Sequence, residues 1–159
     1  MTRWRGNLEV IEQGSKIKAI SRLWLCRLLV CFGLAVGTLS VWDTLSHTWD
    51  PAFQAPALPL GPTHTNYHAF REFTLSVGAM LVLAYGMFLP LAKRSRDLWN
   101  VMCVTAFCYY GGWWIPSPLF GLHAPNIPAT IIHLAATVLT LTGVIASRGN
   151  FSNSDGAGR

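Results

Sequence analysis

Charge is what this chain has least of. Only 12% of its 159 residues are Asp, Glu, Lys or Arg, about half the share of an ordinary soluble domain. With 52% hydrophobic residues, a soluble fold of this size would leave too few charges to keep its surface in water. Basic patches interleaved with aromatics are also missing, which sets nucleic acid aside as a partner. The four cysteines fall as Cys26 with Cys31 and Cys103 with Cys108. Five residues is about 140° around a helix, so neither pair shares a face, and no zinc-type spacing exists. They read as small apolar packing residues. No small-x-small cleavage site follows the first apolar run, so that run is expected to stay as a helix rather than leave as a signal peptide.

What is present is long apolar runs. Four spans can be drawn, at about 23–45, 70–92, 98–115 and 127–146, each near the length that crosses a bilayer as a helix. The expected fold is therefore all-α, a four-helix transmembrane bundle over residues 23–147. Residues 1–22 form a cytoplasmic N-terminal segment with a loose amphipathic pattern. Residues 148–159, rich in Ser, Asn and Gly, form a disordered C-terminal tail.

The cations sit at the span ends. Arg3, Arg5, Lys16, Lys18 and Arg22 precede the first span, with Arg27 just inside it. Lys93, Arg94 and Arg96 fill the turn between the second and third spans, and Arg148 and Arg159 follow the fourth. The first connector has none before Arg71, and the Pro-rich loop 116–126 has none. This alternation puts both termini in the cytoplasm and the chain in a cell inner membrane as a multi-pass protein. The first connector, 46–69, carries four prolines with Trp49, Phe53 and Leu58. It is too apolar for a free linker and is expected to pack over the outer mouth of the bundle.

The polar residues within the spans follow a pattern. Asn126, Thr130, His133, Thr137 and Thr140 fall at steps of four, three, four and three, one face of a helix. Lipid penalises such a face, so it should look into the bundle. A threonine can bond the carbonyl of the previous turn; His133 cannot, and it requires a partner. All five histidines belong to the outer half. Ser40, Asp43, Thr44 and His47 share a face at the end of span one. His64, His68 and Glu72 share another at the start of span two, with Pro62 and Thr63 as a helix start and Thr63 or Thr65 as its cap.

Three chemistries compete for this cluster. His64 and His68 can supply two ligands to a metal or a haem iron, as in a redox protein, with Asp43, Glu72, His123 or His133 to complete a site. His68, Glu72 and His133 can act as acid and base on a lipid-like or quinone-like substrate. Asp43, Arg71, Tyr109, Trp113, Trp114, His123, Thr130 and Thr137 would then line the ligand site. In the third reading the same groups are interhelical hydrogen-bonding residues that fix helix register. No cofactor is named by the sequence. Membrane lipids are expected neighbours. Small residues at Gly33, Gly37, Ser76, Gly78 and Gly86 suit close packing, within the chain, in a homo-oligomer or against a membrane protein partner.

Four short spans with inner termini, a long outer first loop, a tight basic inner turn and the region from Trp113-Trp114 to His123-Ala124-Pro125-Asn126 resemble the DoxX-like group of small bacterial membrane proteins. The resemblance covers residues 20–147 and lies in architecture. It implies a small accessory subunit, in some members of a quinone-linked oxidoreductase. The His68-x-x-x-Glu72 pair is also similar to the polar pair of membrane sterol isomerases of the emopamil-binding type, which would imply an isomerase-like acid–base enzyme.

Overall fold

The computed structural model describes residues 2–53 and 64–151, with the side chains of 2–12, 14–17 and 19 left aside. Its helices are α1 (Thr2–Ser46), α2 (His64–Phe88), α3 (Arg96–Trp114), the short α4 (Pro116–Phe120) and α5 (Ile127–Ala146). Single 3-10 turns follow α2 and α5, at Leu91–Lys93 and Ser147–Asn150. There is no strand among the described residues. Two of the helices, over Ile20–Ser46 and Ile127–Asn150, are long and apolar enough to cross a membrane.

Local chemistry sets most of the boundaries. Pro90 cannot continue α2 and disfavours helical backbone at Leu89. Ser95 starts α3 by accepting a hydrogen bond from the Leu98 amide at 3.1 Å, with Asp97 favourably placed in the positive first turn. Asn126 starts α5 in the same way through the Ala129 amide, 2.8 Å. Pro128 follows in the first turn, where a missing N–H costs nothing. α4 closes at Gly121, whose φ of 67° is the left-handed conformation open to glycine.

The four long helices form a closed ring in the order α1, α2, α3, α5, and the α1–α5 contact is the largest. The core runs up its centre through Val30, Leu83, Met87, Met102, Ala106, Tyr110, Ala136 and Val144. Two glycines let α1 and α5 approach. A Cβ on Gly33 would collide with the Thr140 hydroxyl and stand 2.8 Å from the Thr140 amide nitrogen. A Cβ on Gly143 would stand 2.7 Å from a Val30 methyl and 2.8 Å from the Cys26 carbonyl. The outside of the ring is apolar all round, with Phe32, Leu81, Val104, Ile131 and Val138 among the exposed residues.

One end of the ring is closed by arginines on helix C-termini. The Met87 carbonyl near the end of α2 accepts from Arg27 Nε at 3.0 Å and from Arg94 Nη2 at 2.7 Å. The Ala146 carbonyl at the end of α5 accepts from Arg22 at 3.1 Å, and the Val144 carbonyl from the Trp99 indole at 2.9 Å. Helix C-termini carry unpaired carbonyls and partial negative charge, which is where cations are favoured. Arg94 is 2% exposed and lies under the Phe151 ring, 5.3 Å away. Burial, and secondly the charge of Arg27, lowers its pKa from the usual arginine value.

The structure departs from the sequence expectations at several points. α2 runs His64–Phe88, starting where the Pro62-Thr63 signal leads and stopping short of the expected span end at 92 because Pro90 ends it. Thr65 thus lies inside the helix and is not its cap, while Thr63 lies outside the described residues. α1 runs without a break from Thr2 through the first span, so residues 2–22 continue that helix. The tail is folded as far as Phe151, which is 2% exposed; 152–159 lie outside the described residues. The loop 116–126 contains the helical turn α4.

Candidate functional site

The end of the ring opposite the arginines holds a cavity of about 410 Å³. Each of the four long helices contributes to it. From α1 come Ser40, Asp43 and Thr44, with His47 just beyond its end. From α2 comes Glu72, from α3 Trp113, and from α5 His133, with the cap residue Asn126. The α1 residues meet the cavity because i, i+3, i+4 and i+7 share one face.

His133 is the most constrained of these groups. Its Nε2 lies 3.0 Å from Ser40 Oγ, a hydrogen bond whose direction follows the imidazole tautomer. Its ring stacks on Trp113, centroids 4.2 Å apart and planes 21° from parallel. One turn deeper, the Trp114 indole donates to Thr137 Oγ1 at 2.9 Å, and that hydroxyl donates to the His133 carbonyl at 2.6 Å. At the bottom, Tyr110 and Thr140 share a hydroxyl hydrogen bond of 2.9 Å, both fully buried. Thr130 sits higher, exposed, and bonds the Asn126 carbonyl at 3.0 Å. The stripe on α5 therefore faces the ring interior from His133 to Thr140, and its outermost threonine satisfies itself.

Two smaller spaces adjoin the cavity. A recess of about 90 Å³ lies between Trp113, Trp114, Ser117, His123, Thr130 and His133; His123 Nδ1 is 3.0 Å from Ser117 Oγ. A groove of about 420 Å³ runs between α2 and α3, lined by Glu72, Leu75, Ser76, Ala79, Tyr109 and Trp113, among others. Glu72 and Trp113 belong to both the groove and the main cavity, so they form the wall between the two. The buried Tyr109 hydroxyl lies on this groove with Ser76 as its polar neighbour.

The described part of the first connector folds back at this end. His47 stacks on Phe53 with centroids 4.2 Å apart, and Asn66 donates to the His47 carbonyl at 2.7 Å and the Asp50 carbonyl at 3.2 Å. The lid expected over the mouth rests on residues 54–63, which lie outside the described residues.

The sequence candidates thus divide. Asp43, Glu72, Trp113 and His133 come together in the main cavity. Trp114, His123, Thr130 and Thr137 adjoin it, and Tyr109 lines the groove. His64, His68 and Arg71 do not line any of these spaces. His64 and His68 are exposed and face each other, ring nitrogens 2.8 Å apart, and Arg71 is exposed. Glu72 forms no ion pair with His68 or His133. No group of three or more His, Cys, Asp or Glu among the described residues is placed to hold a metal ion. Two participants carried little sequence signal. Ser40 is the partner that His133 required, identifiable only as one polar residue on the α1 face. Tyr110 reads as part of an aromatic pair and instead anchors Thr140.

Chemically, the cavity combines two carboxylates, Asp43 and Glu72, with two imidazoles and no Lys or Arg. It can accept hydrogen bonds, hold a cationic or hydroxyl-bearing headgroup, and stack a flat ring beside Trp113. Its size lies in the range of small-molecule sites. No protein-family model, curated protein or solved structure matches this chain.

Proposed function

We propose that this chain is a small multi-pass protein of a cell inner membrane, with both termini cytoplasmic, and that its outer cavity binds a quinone-like or lipid-like ligand as an accessory subunit. Support for the membrane comes from the unbroken apolar exterior and from the distribution of cations. Among the described residues, arginines and lysines gather at the Met87 and Ala146 end, and Arg71 stands near the other. The sequence's resemblance to the DoxX-like group would imply the same setting. The observation that carries the ligand reading is the cavity beside His133, lined among the described residues by neither Lys nor Arg and sharing Glu72 and Trp113 with a largely apolar groove. A polar headgroup would meet Ser40, Asp43 and His133, and its tail would leave between α2 and α3 toward lipid.

Cross-linking tests this. A quinone carrying a photoreactive tail should label α2 or α3 near Tyr109 in membranes, and excess unlabelled quinone should suppress the labelling. Labelling spread evenly over lipid-facing residues would refute a defined site.

An acid–base enzyme is the second reading, favoured by Glu72 and His133 lining one cavity. In that case Glu72→Gln should abolish turnover while leaving ligand binding in place. His68, on the outside, would not be needed.

A further inference from the structure

Arg27 is a cation that the outer cavity does not use. It lies within the apolar part of α1, about one turn past Leu23, at the seam with α2. Its Nε donates to Met87, and its guanidinium stands 4.9 Å from the Trp24 ring and 5.1 Å from the Phe88 ring. These contacts orient the group but do not neutralise it. A guanidinium has five N–H donors, of which Nε supplies one. No carboxylate among the described residues pairs with it. Arg94 holds the same carbonyl, so a second positive charge stands beside the first. A charge at this depth of a membrane is costly without a counter-charge.

The seam beyond Arg27 is apolar. A groove of about 420 Å³ between α1 and α2 begins at Leu34 and Ala84 and extends to Val41 and Phe73. At 1.5 Å per residue, Leu34 and Val41 lie about 10 Å and 21 Å along α1 from Arg27. One leaflet of hydrocarbon is about 15 Å deep, half of a ~30 Å core. The near part of the groove, around Leu34, Thr38 and Ala84, thus lies at the depth that the end of an acyl chain reaches from a headgroup at Arg27, and the part toward Val41 lies past the midplane.

We infer that the α1–α2 seam binds an anionic phospholipid of the inner leaflet, with its phosphate on the remaining N–H groups of Arg27 and one acyl chain in the near part of the groove above. A guanidinium presents its donors as a fork that matches phosphate oxygens. An anionic headgroup is preferred to a zwitterionic one because the latter brings a further cation to Arg22, Arg27 and Arg94. Basic pockets between helices on the cytoplasmic side suit such headgroups. The site rests on the membrane-spanning reading and is independent of the outer cavity.

The full chain, reconstituted in bilayers of phosphatidylglycerol and phosphatidylcholine, is extracted in mild detergent, and retained lipid is counted by native mass spectrometry. Carbonate extraction beforehand tests membrane insertion separately. The wild type should retain one phosphatidylglycerol in preference to phosphatidylcholine. Arg27→Gln should lose most of that retention with helicity and melting preserved, and Thr38→Trp, which fills the groove from an exposed position, should lose it too. Equal retention of the two lipids by the wild type, or full retention by a folded Arg27→Gln, would overturn the site. Should Arg27→Gln fail to fold, Thr38→Trp decides alone, and undiminished retention overturns the proposal. Inorganic phosphate should not displace the lipid; displacement would assign the guanidinium to the free ion and likewise overturn it.

Discussion

Replacing Gly33 by alanine should destabilise the bundle by about 2 kcal/mol, whereas the same change at Gly78 should leave it unchanged or stabilise it by up to ~1 kcal/mol. Both glycines lie inside long helices, so both substitutions gain helix propensity. They differ in what the new methyl meets. At Gly78 there is nothing within 4 Å. At Gly33 the Cβ collides with the Thr140 hydroxyl, stands 2.8 Å from the Thr140 amide nitrogen and 3.1 Å from the Ala136 carbonyl. The hydroxyl could rotate only by breaking its 2.9 Å bond to Tyr110, and the two backbone atoms cannot rotate at all. α5 must therefore move off α1 along the largest contact of the ring. Overpacking of this kind costs about 1–3 kcal/mol, and unrelievable backbone contacts favour the upper part of that range before propensity returns about 0.8–1 kcal/mol. Reversible unfolding in mixed micelles, wild type beside each variant, reads the difference. If Gly33→Ala unfolds with Gly78→Ala, the close α1–α5 approach is wrong, and with it the path by which Ser40 reaches His133.

The deep hydroxyl pair should couple weakly: a double-mutant cycle of Tyr110→Phe and Thr140→Val should give about 0.6 kcal/mol, the membrane-bundle average, and zero coupling would place the two apart. Asn126→Ala should cost about 1 kcal/mol through loss of the α5 cap, seen in the same unfolding assay, and Asn126→Asp should retain most of it. Removing the chain from Phe151 onward should expose the buried Arg94 and lower the melting temperature, and an unchanged melt would contradict the packing of that ring over the guanidinium.

The sequence was most informative where pattern and burial coincide. The fourth span was placed at 127–146, where α5 stands, because Asn126 and Pro128 are start signals and the polar stripe fixed the inward face. The same periodicity placed Asp43, Glu72 and His133 on faces that turn out to share a cavity. Hydropathy carries the second span on to 92 because it weights Leu89 and Leu91, whereas backbone chemistry stops the helix at Phe88, before Pro90. His64 and His68 looked equivalent to Glu72, since i+4 spacing assigns a face without saying how far up the neighbouring helices reach. Glu72 lies one turn further along α2 and lines a cavity with residues of α1, α3 and α5, which the two histidines do not. Arg94 looked like an ordinary inner-turn cation, and its burial depends on Phe151, a residue 57 positions away with no local signal.

The most direct test of the central account is a binding titration in nanodiscs. A short-chain benzoquinone is added to wild type, Ser40→Ala and His133→Ala, with tryptophan fluorescence following the ring beside His133. The account predicts saturable quenching in the wild type and, in His133→Ala, a binding constant weakened about tenfold, the equivalent of ~1.4 kcal/mol, with Ser40→Ala between the two. Quenching that rises linearly with quinone, or saturates identically in all three proteins, would contradict a ligand site at His133.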